Sequence, residues 1–350
     1  MLKKISVYLF LMMSTLFAQE KTDSATKSIY ASAMKQQPNL PCPDHWRLSG
    51  DFLYFVPTLD DTYFVIQNKS SSPYPTLERK NNDFSYNPGF RVGAEFACCD
   101  KMREFQAFFS LLNTTEKRLV AGENLWATTG MPDVCNNFEN YTGSAASHIN
   151  VLYQHLDVNF SQQVGNSYGL YYYFQPGLEY AYLRMKEGVT YFNSITPSTG
   201  IIDQRSKLWG VGPQLGFVLD YNFINEPLTC KSRQGFSILA QCSGSILVGR
   251  GKTENFQSLQ SGITPVTTFL NVEDEHAFRT FPALHAHAGL SYFIRGERAG
   301  CLIEVGYEFN SYIRGLARSI FVDDVADSLC ITNYYNFDIQ GLYVSGRISF

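Results

Sequence analysis

Apolar and polar residues alternate with period two along most of this chain. Segment 46–56 puts Trp46, Leu48, Phe52, Tyr54 and Val56 on one face. Segment 88–97 sets Phe90, Val92, Ala94 and Phe96 against Arg91, Gly93 and Glu95. Eight more segments repeat the pattern: 103–112, 150–161, 168–184, 206–221, 235–249, 278–295, 300–313 and 339–350. In a strand, successive side chains point to opposite sides, so each segment presents one apolar and one wetter face. The pattern predicts ten strands.

The connections between them carry the next inference. They run long (57–87), short (98–102), long (113–149), short (162–167), long (185–205), moderate (222–234), long (250–277), short (296–299) and long (314–338). Regular alternation of this kind fits a closed antiparallel transmembrane β-barrel, with short periplasmic turns and long extracellular loops. Both chain ends then lie on the periplasmic side, which requires an even strand count. Segments 61–67 and 263–273 are weaker strand candidates that would raise ten to 12 or 14. A closed barrel pairs every backbone group internally, so it crosses lipid without a spanning helix. Aromatic residues near strand ends (Trp46, Tyr54, Tyr168, Tyr182, Trp209, Tyr221) suit the interfacial girdles. A soluble β-sandwich is the competing architecture. The strands are long for it, and the chain ends on Phe350 inside an alternating strand. Such a C-terminal strand is an expected contact for barrel-assembly machinery.

Composition sharpens this picture. Aromatics make up 15% of the 350 residues and charged residues 17%, against about 25% in ordinary soluble domains. Mean hydropathy is nonetheless close to neutral, as expected where one face of each strand meets lipid and the other meets water. Aromatic richness and small net charge exclude a disordered chain. An isoelectric point near 5.9 without a basic cluster speaks against nucleic acid. At the start, Lys3 and Lys4 precede an apolar run from Ile5 to Phe17, too short for a spanning helix. This reads as a secretory signal peptide over 1–18, cleaved near Ala18. Cleavage removes two lysines and moves the net charge from -4 to about -6. Residues 19–45 then form a periplasmic N-terminal segment and 46–350 the barrel, located in the bacterial outer membrane among its lipids.

The inward faces hold the candidate functional residues. Those predicted to line a pore are Arg91, Glu95, Gln175, Glu179, Gln214, Asp220, Arg279, His285, His287, Arg295, Glu304, Glu308 and Arg347. Opposed acids and bases in a narrow lumen filter solutes by size and charge. Five acids against four arginines predict weak selectivity, mildly for cations. The competing reading is that these charges pair and plug the lumen. His285 and His287 stand two apart on one face, a spacing that can chelate a metal or supply a base. A barrel hydrolase would need partners such as Asp60-Asp61 or Asp323-Asp324. Neither G-x-S-x-G nor H-E-x-x-H occurs, so neither enzymatic activity, a cofactor nor a bound metal is expected.

The stretches DHWRLSGDFLYFVP, NPGFRVGAEFACCD, LWGVGPQLGFVLDY, ALHAHAGLSYFI, IEVGYEFNSY and GLYVSGRISF occur in an order that resembles the major outer membrane protein-like family of Legionella and chlamydia-related bacteria. The resemblance spans nearly all of the mature chain. It implies a pore-forming outer-membrane barrel, exposed at the surface, often with disulfide cross-links in the envelope and with roles in host contact. The eight cysteines sort by the predicted topology. Cys42, Cys98, Cys99 and Cys230 fall on the periplasmic side, Cys135 and Cys330 in outer loops. Those six are the disulfide candidates, within one chain, between copies in a homo-oligomer, or to other envelope proteins. Cys242 and Cys301 fall on outward faces, as small apolar residues. Zinc on cysteine is disfavoured, because no C-x-x-C pair occurs.

Overall fold

The computed structural model describes residues 45–60, 62–69, 76–98, 103–128, 138, 140–229, 232–262, 266–275, 278–295, 299–321 and 330–350. The expected signal peptide, the segment that follows it up to residue 44, and Cys42, Cys99, Cys135 and Cys230 lie outside these residues, as does the side chain of Cys330. Thirteen strands form among the described residues: β1 (His45–Leu59), β2 (Tyr63–Asn68), β3 (Leu77–Asn81), β4 (Asn87–Cys98), β5 (Arg103–Ala127), β6 (Tyr141–Ser167), β7 (Leu170–Asn193), β8 (Ser198–Thr229), β9 (Ser232–Ser261), β10 (Thr267–Glu275), β11 (Arg279–Arg295), β12 (Gly300–Phe321) and β13 (Cys330–Ser349). No described helix is long and apolar enough to cross a membrane.

Ten of the thirteen close into a ring of antiparallel pairs, in the order β1, β4, β5, β6, β7, β8, β9, β11, β12, β13 and back to β1. These are the ten strands predicted from alternation. The closing pair runs from Arg47 against Ser349 to Leu59 against Phe337. Two backbone hydrogen bonds between Trp46 and Phe350 finish the ladder, so the barrel begins and ends at one rim. The weaker candidates do become strands, but outside the ring. β2 pairs with the far end of β5 and with β3, and β10 pairs with β9.

The outward faces follow the sequence. Leu48, Phe52, Val92, Leu215, Phe217, Ile238, Leu290, Val305 and Val344 are all exposed, as a lipid-facing band requires. Aromatic pairs mark its margins. Trp46 packs on Phe96 and Phe105 on Phe160 near the short-turn rim, each with ring centroids 5.0 Å apart. Tyr54 stacks on Tyr86 at 5.3 Å toward the other. Eight residues separate Trp46 from Tyr54. At ~3.3 Å per residue and a tilt of ~40° they climb roughly 20 Å, close to the usual height of a barrel's apolar band.

Much of what was expected as long loops is strand. Residues 113–127, 141–149, 185–193, 198–205 and 250–261 continue the ring walls beyond the lipid band. The reason lies in a reversal of polarity. Within the band, β6 points Leu156 and Val158 outward and His155 and Asn159 inward. Beyond it, with inward parity unchanged, Ile149, Val151 and Tyr153 are buried while Asn150 and Gln154 take the outer face. An extension exposed to water inverts the pattern, so a search for apolar outward positions ends too early.

Inward glycines make room for rings. A Cβ at Gly93 would lie 2.3 Å from the Phe108 ring, and one at Gly210 would lie 2.6 Å from the Phe281 ring. Each missing side chain is the space its neighbour fills.

Candidate functional site: the barrel lumen

The lumen is layered along its axis. In the half nearest the short turns lies a polar cavity of about 170 Å³. Seven carboxylates (Asp51, Glu95, Glu104, Asp157, Asp220, Glu304, Glu308) line it against Arg47, Arg91, Arg347 and three histidines. The charges are paired across strands. Arg91 bonds Glu308 and lies 3.5 Å from Asp51. Glu95 sits 3.3 Å from both Arg47 and Arg347, and Arg47 reaches Glu104 at 2.5 Å. Tyr343 donates to Glu304. Charges this shielded from water need partners, and alternation on five neighbouring strands, β5, β4, β1, β13 and β12, turns them inward together.

A tighter cluster reaches across the lumen beside the cavity, from β6 and β7 to β11. Glu179 of β7 is wholly buried, with Oε1 3.2 Å from His155 Nε2 of β6 and 3.0 Å from His285 Nε2 of β11. The two imidazole rings stack at 5.0 Å. Asp157 Oδ1 lies 3.1 Å from His155 Nε2. His287 does not join them; it packs edge-on against Tyr343 at 5.9 Å.

Above the cavity the lumen is filled by an apolar septum. Leu53, Phe55, Leu112, Tyr153, Leu183, Leu208, Leu247, Phe281, Tyr312, Phe337 and Ile339 are at most 1% exposed and form one cluster. Nine of the ten ring strands contribute to it. The tenth, β4, passes with Gly89, whose missing side chain would meet Leu53 and Leu112. At the centre, Tyr153, Tyr312 and Phe337 form a triangle with ring centroids 5.9–6.3 Å apart, and the two tyrosine hydroxyls are 3.2 Å apart. Farther out, Arg318 pairs with Glu187, which also accepts a hydrogen bond from Asn82 at 3.2 Å. A second apolar cluster around Phe64, Tyr141 and Tyr191 lies beyond that.

Other charges of the extensions pair on the outer face. Burial would raise the Glu254 carboxyl, but contacts with Lys252, Lys207 and Arg205 outweigh it and hold the group below its ordinary value. Hydrogen bonds to Glu273 and Glu254 hold Lys252 above its own.

Most predicted pore residues come together. Arg91, Glu95, Gln175, Asp220, His285, His287, Glu304, Glu308 and Arg347 line the cavity. Glu179 stands against His285, and Gln214 is buried beside it in the barrel wall, donating to Ser243 at 2.9 Å. Arg279 lies elsewhere, at the outer end of β11, 4.4 Å over the Tyr334 ring. The side chain of Arg295 lies outside the described residues. Arg47, Asp51, Glu104, His155 and Asp157 also line the cavity and were not among the predicted residues. They share the inward parity of their strands, which is the signal that marks them. Among the described cysteines, Cys98, Cys242 and Cys301 are free thiols, the last two exposed on the outer face. Asp60 is exposed, and Asp61, Asp323 and Asp324 lie outside the described residues.

Among solved structures, the chain is similar to the outer-membrane protease OmpT from Escherichia coli (7% identity, TM-score 0.37, 88% of this chain and 97% of that one). It is also similar to the toluene transporter TodX of Pseudomonas putida (9%, 0.27, 88% and 90%) and to a FadL homologue from Pseudomonas aeruginosa (6%, 0.25, 88% and 90%). No curated protein matches the sequence. The family described as Legionella pneumophila major outer membrane protein precursor matches residues 39–350. The resemblance in the sequence is thereby met over almost the whole barrel: the chain is an outer-membrane protein and belongs to the Legionella major outer membrane protein family.

Proposed function

We propose that the protein is an outer-membrane channel for small hydrophilic solutes whose lumen rests closed, with passive flow and no catalytic step. The observation that supports this is the stacking of two unlike layers in one lumen. A net-acidic cavity fills one half, and a dry apolar septum from nine strands crosses the bore above it. Apolar constrictions hold a pore shut by excluding water, while charged rings choose which ions enter once it opens. The excess of carboxylates over arginines favours cations.

Planar-bilayer recording tests the reading. Wild-type protein should give rare, brief, cation-preferring steps, and the double variant Phe55→Ala/Phe281→Ala should open far more often. The completeness of the septum favours a second reading, a closed structural surface barrel. That reading takes over if neither protein yields discrete current steps.

A further inference from the structure

We propose that His155, Glu179, His285 and Asp157 form a site for one divalent transition-metal ion of the Zn²⁺ class, tying β6, β7 and β11 together across the lumen. The inference does not depend on whether the barrel conducts.

The hydrogen-bond network fixes which atoms are free to bind. Asn310 Nδ2 donates to Glu308 Oε1 at 2.9 Å. A carboxylate only accepts, so the amide is oriented, and its Oδ1 faces His285 Nδ1 at 2.8 Å. That carbonyl also only accepts. Nδ1 of His285 therefore carries the hydrogen, and in the neutral ring Nε2 presents a lone pair. This second partner is the usual device that sets the tautomer of a metal-binding histidine. Nε2 then points at Glu179 Oε1, 3.0 Å away. Two acceptors at that distance repel unless a cation or a proton lies between them.

His155 approaches the same carboxylate from the other side. Its Nε2 stands 3.1 Å from Asp157 Oδ1 and 3.2 Å from Glu179 Oε1. His155 Nε2, Asp157 Oδ1 and Glu179 Oε2 are all buried without a hydrogen-bond partner. One ligand atom each from His155, Glu179 and His285 lies within 4.8 Å of the others. Bonds of ~2.1 Å in a tetrahedron place ligands ~3.4 Å apart, so the widest gap in the 4.8 Å set closes by at most about 1.4 Å. Two imidazoles exclude Ca²⁺ and Mg²⁺, which take oxygen ligands. Two carboxylates neutralise the double charge, as a site this buried needs. The acidic cavity alongside draws cations to it.

The competing occupant is a proton, which would make His285 or His155 an imidazolium. Full-length protein, extracted in detergent and stripped with chelator, separates the two. Equilibrated with Zn²⁺, it should hold one ion per chain by elemental analysis, and with Co²⁺ it should show the visible absorption of tetrahedral coordination. H285Q and E179Q should each weaken Zn²⁺ binding at least tenfold, and N310L about tenfold through the ring orientation. H287Q should bind as wild type. Should H285Q fail to fold, the wild-type stoichiometry and Co²⁺ spectrum decide. Folded wild type that holds no Zn²⁺, or H287Q losing as much metal as H285Q, overturns the proposal.

Discussion

Replacing Phe337 by alanine tests the septum directly. Phe337 is 0% exposed and contacts both other rings of the central triangle, at 6.3 Å each. A buried aromatic hides ~200 Å², which at ~25 cal/mol per Å² is a gross transfer gain of about 5 kcal/mol. Alanine keeps part of that and leaves a void, so a net loss of about 3–5 kcal/mol is expected. The two lost ring pairs, at about 0.5–1.5 kcal/mol each, are contained in that figure. Urea unfolding of protein refolded in vesicles reads it as a lower midpoint with an unchanged slope. Phe337 faces the lumen, so no lipid contact changes. A loss under about 1 kcal/mol would mean that the rings are loosely packed or reached by water, and the closed septum would be refuted.

Other consequences are equally open to measurement. Gly93→Ala should destabilise the barrel by about 1–3 kcal/mol through the clash with the Phe108 ring. The penalty should shrink in a Phe108→Ala background, and additive losses in a double-mutant cycle would exclude that contact. Hydrogen bonds from Lys69 and Lys80 hold Glu78 down to about 2 from its ordinary 4.5. A depressed folded value means the tie between β2 and β3 is intact above pH 4.5 and is lost as pH falls toward 2; amide exchange in β3 that does not rise across that window would contradict it. The Cys242 thiol, exposed on the outer face, should react in membranes with a lipid-soluble alkylating agent and resist a charged one. Equal labelling by both would take that face out of lipid.

Alternation made the ring legible because lipid and lumen impose opposite demands on neighbouring residues. It was weaker wherever both faces are apolar. The run Phe52-Leu53-Tyr54-Phe55-Val56 serves lipid with Phe52 and Tyr54 and the septum with Leu53 and Phe55, yet in one dimension it is merely hydrophobic. The short strand β3, LERKN, has no apolar face to announce it. The histidine cluster is a different kind of omission. His285 and His287 stand out as neighbours, but the partners of His285 are Glu179, 106 residues away, and His155 on β6. Such a meeting depends on closure of the ring.

The reversal of polarity along the strands has a consequence for assembly. Period-two amphipathicity distinguishes odd from even registers only; a slip of two residues keeps every side chain on its own side. In this barrel such a slip would carry septum residues such as Leu53 and Leu112 into the charged cavity and drag polar outer residues such as Asn150 toward lipid. Charged residues moved that way cost up to about 2–4 kcal/mol each at mid-membrane. The crossover level thus acts as a depth mark, written once on most walls of the ring, that sets how far each strand enters the membrane as well as which way it faces.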